Sequence, residues 1–249
     1  MKPLAIDLFC GLGGWTEGLL AEGYYVVGFD IERHEYGGHK YPAQLVLQSV
    51  LTIHGSQFKD AALIVASPPC QEYSYMAMPW SRAKAIRAQY LSGERDRAKL
   101  TELFDACFRI QREAIEAAGH RIPMVVENVR GAREWVGRSR WNYGSYHLWG
   151  DVPALMPMTK TAGMKNGSLN GGSWFAQGPR GTVGVRNNPD GRKGGNGGIK
   201  IGGDCWFSDP QSMCRRHSSK STARKAARAV IAKIPFELAR HIAAHWKPL

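Results

Sequence analysis

Short apolar runs alternate with stretches of helical spacing along this chain of 249 residues. Leu4 to Phe9, Tyr24 to Asp30 and Ala61 to Val65 have the length of strands, and strands covered on both faces of a parallel sheet read as nearly continuous apolar segments. Between the first two, Gly13 to Ala21 reads as a helix, so the chain opens in βαβ rhythm. From Glu94 to Ala118 the residues Leu100, Leu103, Phe104, Cys107, Ile110, Ala114, Ile115 and Ala118 recur at helical spacing. They predict a long amphipathic helix lying on the sheet, with Cys107 in its core stripe. Ile122 to Val126 predicts a further strand running into Glu127-Asn128, and Tyr143 to Trp149 one more. Thr222 to Lys233 and Pro235 to Trp246 read as closing helices, Pro235 suiting a first turn. The expected fold class is α/β: a Rossmann-like, doubly wound, mostly parallel sheet carrying a small Gly-rich basic insert.

Composition agrees with a core of that size, since 43% of the residues are hydrophobic. No apolar stretch is long enough to span a bilayer, and Asp7 interrupts the first apolar run, unlike a signal peptide; a cytoplasmic protein without membrane contact is expected. The five cysteines form no CxxC pair, and an odd number argues for reduced thiols. Cys205, Cys214 and His217 offer three metal ligands without finger spacing, so no metal is expected.

Charge changes the picture more. The net charge is +12, and Lys160 to Lys225 holds twelve Lys or Arg against Asp190, Asp204 and Asp209. The same stretch holds fourteen of the 29 glycines, with Trp174, Phe175, Trp206 and Phe207 interleaved. Such a segment makes a poor core; a nucleic-acid-facing surface and a solvated Gly-rich loop both fit it.

Candidate chemistry sits at the ends of the predicted strands, where open α/β sheets carry their sites. Ser67-Pro68-Pro69-Cys70-Gln71-Glu72-Tyr73-Ser74 follows the strand Ala61 to Val65, which makes Cys70 a candidate nucleophile. Asp7-Leu8-Phe9-Cys10-Gly11-Leu12-Gly13-Gly14 runs from a strand through a glycine turn into a helix, and Asp30 ends the next strand. Backbone can approach a ligand closely there, and the acid can accept from ribose hydroxyls, which implies a nucleoside cofactor; a purely structural tight turn is the alternative. Thr16 stands where a nicotinamide fingerprint needs its third glycine. Glu127 brings a carboxylate to the edge that carries Cys70.

In this order, DLFCGLGG at 7–14, Asp30, SPPCQEYS at 67–74 and ENV at 127–129 resemble the cytosine-5 DNA methyltransferases, over roughly the first 150 residues and the C-terminal helix. The resemblance implies the fold of S-adenosylmethionine-dependent methyltransferases, S-adenosylmethionine as cofactor, and a monomer acting on double-stranded DNA. Cys70 would attack C6 of a flipped-out cytosine and Glu127 would hydrogen-bond and protonate N3, so that C5 becomes enamine-like and accepts the methyl group. Phe9, Gly11, Leu12, Gly13, Gly14, Asp30, Ile31 and Pro69 match cofactor-lining positions; Gln71, Ser74 and Asn128 match substrate contacts. Ser49 stands where the family places an acid for the adenine amino group, and Arg138 with Arg140 is the nearest approach to its Gln-x-Arg-x-Arg element. The implied organisation is a catalytic domain over 1–158, a target-recognition insert over 159–221 and C-terminal helices over 222–249. Motifs this similar also occur in a tRNA-methylating branch, so RNA is the sibling substrate. A nucleic-acid-binding relative with a degenerate cofactor site is the reading outside enzymology, with a nicotinamide oxidoreductase more remote.

Overall fold

The computed structural model describes residues 2–35, 38–70, 73, 80–143, 146–156, 229 and 232–248. Met1–Met158 and Lys233–Leu249 form one unit, and residues 159–232 divide from it. In chain order the first unit contains β1 (Leu4–Leu8), α1 (Gly14–Ala21), β2 (Tyr25–Asp30), β3 (Gln44–Leu47), β4 (Ala61–Ala66), α2 (Trp80–Leu91) and α3 (Arg97–Ala118). It continues through β5 (Met124–Asn128), the short α4 (Arg133–Val136), β6 (Trp141–Tyr143), β7 (Tyr146–Gly150) and α5 (Phe236–Trp246).

The strands join in one seven-stranded sheet of order β3-β2-β1-β4-β5-β7-β6. β1 to β5 pair in parallel with one another, while β7 pairs antiparallel with both β5 and β6. The mostly parallel α/β expectation therefore holds. The order reverses between β1 and β4, and in doubly wound sheets ligands bind beyond the carboxyl ends of the strands at such a point.

The central strands are apolar because both faces are covered: Leu63, Ile64, Val65, Ala66, Met124, Val125 and Val126 are all fully buried. α3 carries the predicted stripe, burying Phe104, Cys107, Ile110 and Ala114. It begins at Arg97 rather than Glu94 because the Asp96 carboxylate caps it, accepting from the Ala98 N–H at 2.8 Å, and it ends at Gly119 in the left-handed region. The fourth predicted strand starts two residues late, after Pro123, and extends through Glu127 and Asn128. Tyr143 to Trp149, expected as a single strand, divides between β6 and β7. Pro235 stands just before α5 rather than inside its first turn. The helix expected from Thr222 to Lys233 lies almost wholly outside the described residues, as does the basic insert. No helix among the described residues is long and apolar enough to cross a membrane.

Candidate active site

Three loops leave the sheet at its carboxyl edge beside the switch point: 9–13 after β1, 67–70 after β4, and the end of β5. The 67–70 loop is held from three sides. Its Ser67 N–H donates to the Leu8 carbonyl of β1 at 3.1 Å, and the Trp15 indole of α1 donates to Ser67 Oγ at 2.9 Å. From β5, the Asn128 amide donates to the Pro68 carbonyl at 3.0 Å. Two prolines restrict the intervening backbone, and the Tyr73 N–H closes the turn on the Cys70 carbonyl at 3.1 Å. Tyr73 is buried and anchors through its hydroxyl to the Leu100 carbonyl of α3. The thiol of Cys70 is thus carried on a pinned loop and is half-buried.

The other two described cysteines are excluded by their surroundings. Burial, reinforced by the charges of Asp7 and Asp30, pushes the Cys10 thiol up, and burial pushes Cys107 up in α3, so both stay protonated and unreactive. Cys107 belongs to the core, as its place in the stripe predicts.

Glu127 and Asn128 lie on β5, 4% and 1% exposed. Parallel pairing sets Ala66 against Val126, so the chain leaves β4 level with Glu127. The sheet therefore brings the carboxylate of β5 and the cysteine loop of β4 to one edge. Asn128 is spent on backbone, donating to Pro68 and accepting from the Val129 N–H at 2.8 Å. Its contribution is to join the loop to the strand that carries Glu127. Tyr146 on β7 is the neighbour that sequence reasoning missed: burial first, and then the charge of Glu127, push its phenol up, and its hydroxyl donates to the Lys233 carbonyl at 3.0 Å.

The glycine turn after β1 has two kinds of residue. Phe9 takes φ 57°, a left-handed conformation costly for a bulky side chain, and Gly11 follows at φ 50°. A Cβ on Gly11 would meet no atom within 4 Å, so the chain's own packing gives no reason for a glycine beyond its φ and leaves the backbone open to a ligand. Leu12, Gly13 and Gly14 turn inward. A Cβ on Gly13 would reach Pro42 at 2.5 Å, and one on Gly14 would lie 2.4 Å from the Ile234 backbone nitrogen.

Asp30 faces this turn. One carboxylate oxygen accepts from the Gly11 N–H at 3.0 Å, the other from the Ile31 N–H at 2.8 Å, with His34 at 3.4 Å. Burial works to raise the carboxyl, but His34 and these N–H groups outweigh it and hold it below its ordinary value, so Asp30 is an anion. Ile31 beside it is 74% exposed, an apolar surface next to a fixed acceptor. Gln48 donates to the Asp30 carbonyl at 2.8 Å and keeps Ser49 at the same edge, where Ser49 precedes the 3-10 turn Val50–Thr52. An open glycine backbone, an anionic acceptor and an exposed aliphatic side chain together fit a nucleoside with ribose hydroxyls.

Beneath the turn is a buried acid that sequence reasoning treated only as a break in an apolar run. Asp7 is fully buried on β1; Thr16 donates to its Oδ2 at 2.6 Å, and Tyr41 meets the Thr16 hydroxyl at 2.7 Å. Among the described residues its Oδ1 has no hydrogen-bond partner, and burial, aided by Asp30, pushes its carboxyl up to about 7 against the Thr16 hydrogen bond.

Not every expected residue joins the site. Pro69 is exposed on the cysteine loop, while Gln71 and Ser74 lie outside the described residues. Arg138 and Arg140 do not stand beside Glu127. They precede β6, whose first residue Trp141 pairs with Leu148 opposite Glu127, and from that level they run back along β7 to line a cavity with Trp149, Gly150 and Asp151, two strands away from β4 and its cysteine loop. Among the described residues no group of three or more His, Cys, Asp or Glu could hold a metal; Cys205, Cys214 and His217 lie outside them.

Residues 4–89 match the family model of C-5 cytosine-specific DNA methylases, and the resemblance read in the motifs is confirmed over that stretch. S-adenosylmethionine is the cofactor of that family. No curated protein matches the chain. Among solved structures it is similar to a DNA modification methyltransferase encoded within an Escherichia coli prophage, at 21% identity over 53% of this chain and 33% of that one, with a TM-score of 0.35. It is also similar to the Schizosaccharomyces pombe Dnmt2 methyltransferase, at 16% identity over 55% and 37% with a TM-score of 0.34. The Entamoeba histolytica methyltransferase EhMeth follows, at 17% identity over 55% and 41% with a TM-score of 0.32. The chain thus spans between a third and two-fifths of the length of these structures.

Proposed function

We propose that this chain transfers a methyl group from S-adenosylmethionine to C5 of a flipped-out cytosine in double-stranded DNA. The observation that carries the reading is the hydrogen bond from Asn128 to the Pro68 carbonyl, which fixes the Cys70 loop to the strand bearing Glu127, next to an open glycine turn. A thiolate and a carboxylic acid held on one frame can act on two atoms of one ring.

In this reading Cys70 adds to cytosine C6 as Glu127 delivers a proton to N3, and the negative charge otherwise placed on the ring is cancelled as it forms. C5 becomes the nucleophilic carbon of an enamine. The cofactor, when bound, supplies an electrophilic methyl group. Asp30 would accept from the ribose hydroxyls, Ile31 would cover a face of the adenine, and the Gly11 backbone would let the nucleoside lie close to the sheet. Ser49 would stand by the adenine edge as a hydroxyl in place of an acid. Loss of the C5 proton and release of Cys70 restore the aromatic ring. The basic segment 159–221 would serve target recognition, with the chain acting as a monomer in the cytoplasm.

The test is transfer of a tritiated methyl group to mixed DNA and RNA by the full chain, followed by nucleoside analysis. Label in 5-methylcytosine of DNA supports the reading, and label confined to RNA moves the substrate to the sibling class. Cys70→Ala should abolish transfer while S-adenosylmethionine still binds. Glu127→Gln should slow it by about two to four decades, the usual range for a general acid. Full activity of Cys70→Ala would remove covalent catalysis from the mechanism.

A further inference from the structure

Arg138 and Arg140 line an open cavity of about 480 Å³ at the edge of the sheet where β5 begins and β7 ends. Their backbone is fixed. The Trp149 indole donates to the Gly137 carbonyl at 3.0 Å, Ser139 Oγ meets His147 Nδ1 at 2.9 Å, and the Arg140 N–H donates to the Leu148 carbonyl at 2.8 Å. Exposure alternates to match: Ser139 turns in toward β7, and the two arginines are exposed.

Arg121 forms another wall, its guanidinium 5.1 Å from the centre of the Trp246 ring and 2.5 Å from Asp151. Asp151 is the one carboxylate lining the cavity among the described residues, and its acceptors are taken. Arg121 occupies Oδ1, while Oδ2 accepts from Gln111 at 2.7 Å and from the Met124 N–H at 2.9 Å. Arg138 and Arg140 form no ion pair among the described residues. Three guanidinium groups therefore share a cavity whose single anion is already satisfied, and guanidinium forks match the oxygens of a phosphate.

We propose that this cavity grips a backbone phosphate of the nucleic-acid substrate at a second point, away from the methyl-transfer edge. Leu148, which pairs with Glu127, lies two residue steps along β7 from Gly150 at the cavity, ~7 Å, comparable to about two base steps along a strand. The inference rests on nucleic acid being the substrate.

The experiment is anisotropy of a labelled DNA duplex binding the full chain across a salt series, with inorganic phosphate titrated separately. In Arg138→Gln/Arg140→Gln the slope of log affinity against log salt should flatten by about 0.9 for each phosphate that is no longer neutralised, and phosphate binding should weaken. Arg138→Lys/Arg140→Lys should keep most of the slope, and unchanged thermal unfolding of both variants excludes misfolding as the cause. An unchanged slope in the glutamine pair overturns the proposal, and weakened phosphate binding with an unchanged slope overturns it in favour of a pocket for the free ion. A parent chain that binds neither DNA nor RNA defeats the methyltransferase reading itself.

Discussion

Beneath the glycine turn, Asp7 is fully buried on β1. Its carboxyl is pushed up to about 7 from an ordinary 3.8 by burial, so the folded chain holds a proton there that the unfolded chain has released by pH 5. The sign follows: this group favours folding fully below pH 3.8, its contribution falls as pH rises toward 7, and the loss is complete above that. Asp7→Asn removes the titration while keeping an oxygen to accept from Thr16. Urea midpoints at pH 5 and pH 8 should therefore fall more in the parent than in the variant, by an amount worth a few kcal/mol. Parallel behaviour of the two proteins would mean that Asp7 does not hold this proton. Asp7 also marks a limit of reading residues singly. An acid in an apolar run is visible in the sequence, but its partners Thr16 and Tyr41 lie nine and further residues along the chain and become neighbours only when β1, α1 and the segment before β3 assemble.

Among the elements, α1 and α5 are joined through glycine. A Cβ on Gly18 would lie 2.4 Å from the Arg240 backbone nitrogen and 2.5 Å from the Ala239 carbonyl carbon, and neither is the movable end of a side chain. Helix propensity alone would make Gly18→Ala stabilising by ~1 kcal/mol, whereas overpacking of this kind costs about 1–3 kcal/mol. The steric clash wins, and Gly18→Ala should lower the unfolding midpoint in a thermal or urea melt; a rise would show that α5 can step back at little cost. Gly14 stands in the same relation to Ile234, so the second glycine of the pair at 13–14 serves the return of the chain more directly than it serves a ligand. The sequence motif could not separate these uses, because DLFCGLGG reads alike whether a glycine faces a cofactor or a helix. The strands and α3 were legible because each repeats one physical pattern: a buried apolar run or a stripe of helical spacing. β3 is a four-residue edge strand and α2 lacks a clear apolar face, so neither announces itself by periodicity. The juxtaposition of Cys70 and Glu127 was legible through motif order. The position of Arg138 and Arg140 was not, since it depends on β7 running antiparallel, a direction that no residue in the arginine pair encodes.

At the scale of the whole molecule, the proposed methyl transfer and nucleic-acid binding would divide along the chain. The described unit holds the cysteine loop, the carboxylate and the glycine turn, while most of the net charge belongs to Lys160 to Lys225. Phosphate contacts dominate the affinity of a basic protein for nucleic acid and its dependence on salt, whereas a nucleoside cofactor held by an anionic acceptor and backbone responds little to charge elsewhere. Replacing Arg180, Arg186 and Arg192 by glutamine should therefore flatten the salt dependence of DNA binding, by about 0.9 in slope for each arginine that touches phosphate, and leave the affinity for S-adenosylmethionine unchanged. Anisotropy over a salt series and calorimetry with the cofactor measure the two quantities on the same preparation. A slope equal to that of the parent would assign the segment to solvent, and the arginines of the cavity at β7 would then carry more of the phosphate binding. Lost cofactor affinity would mean instead that the segment supports the cofactor side of the protein, and recognition of the target would have to be sought elsewhere in the chain.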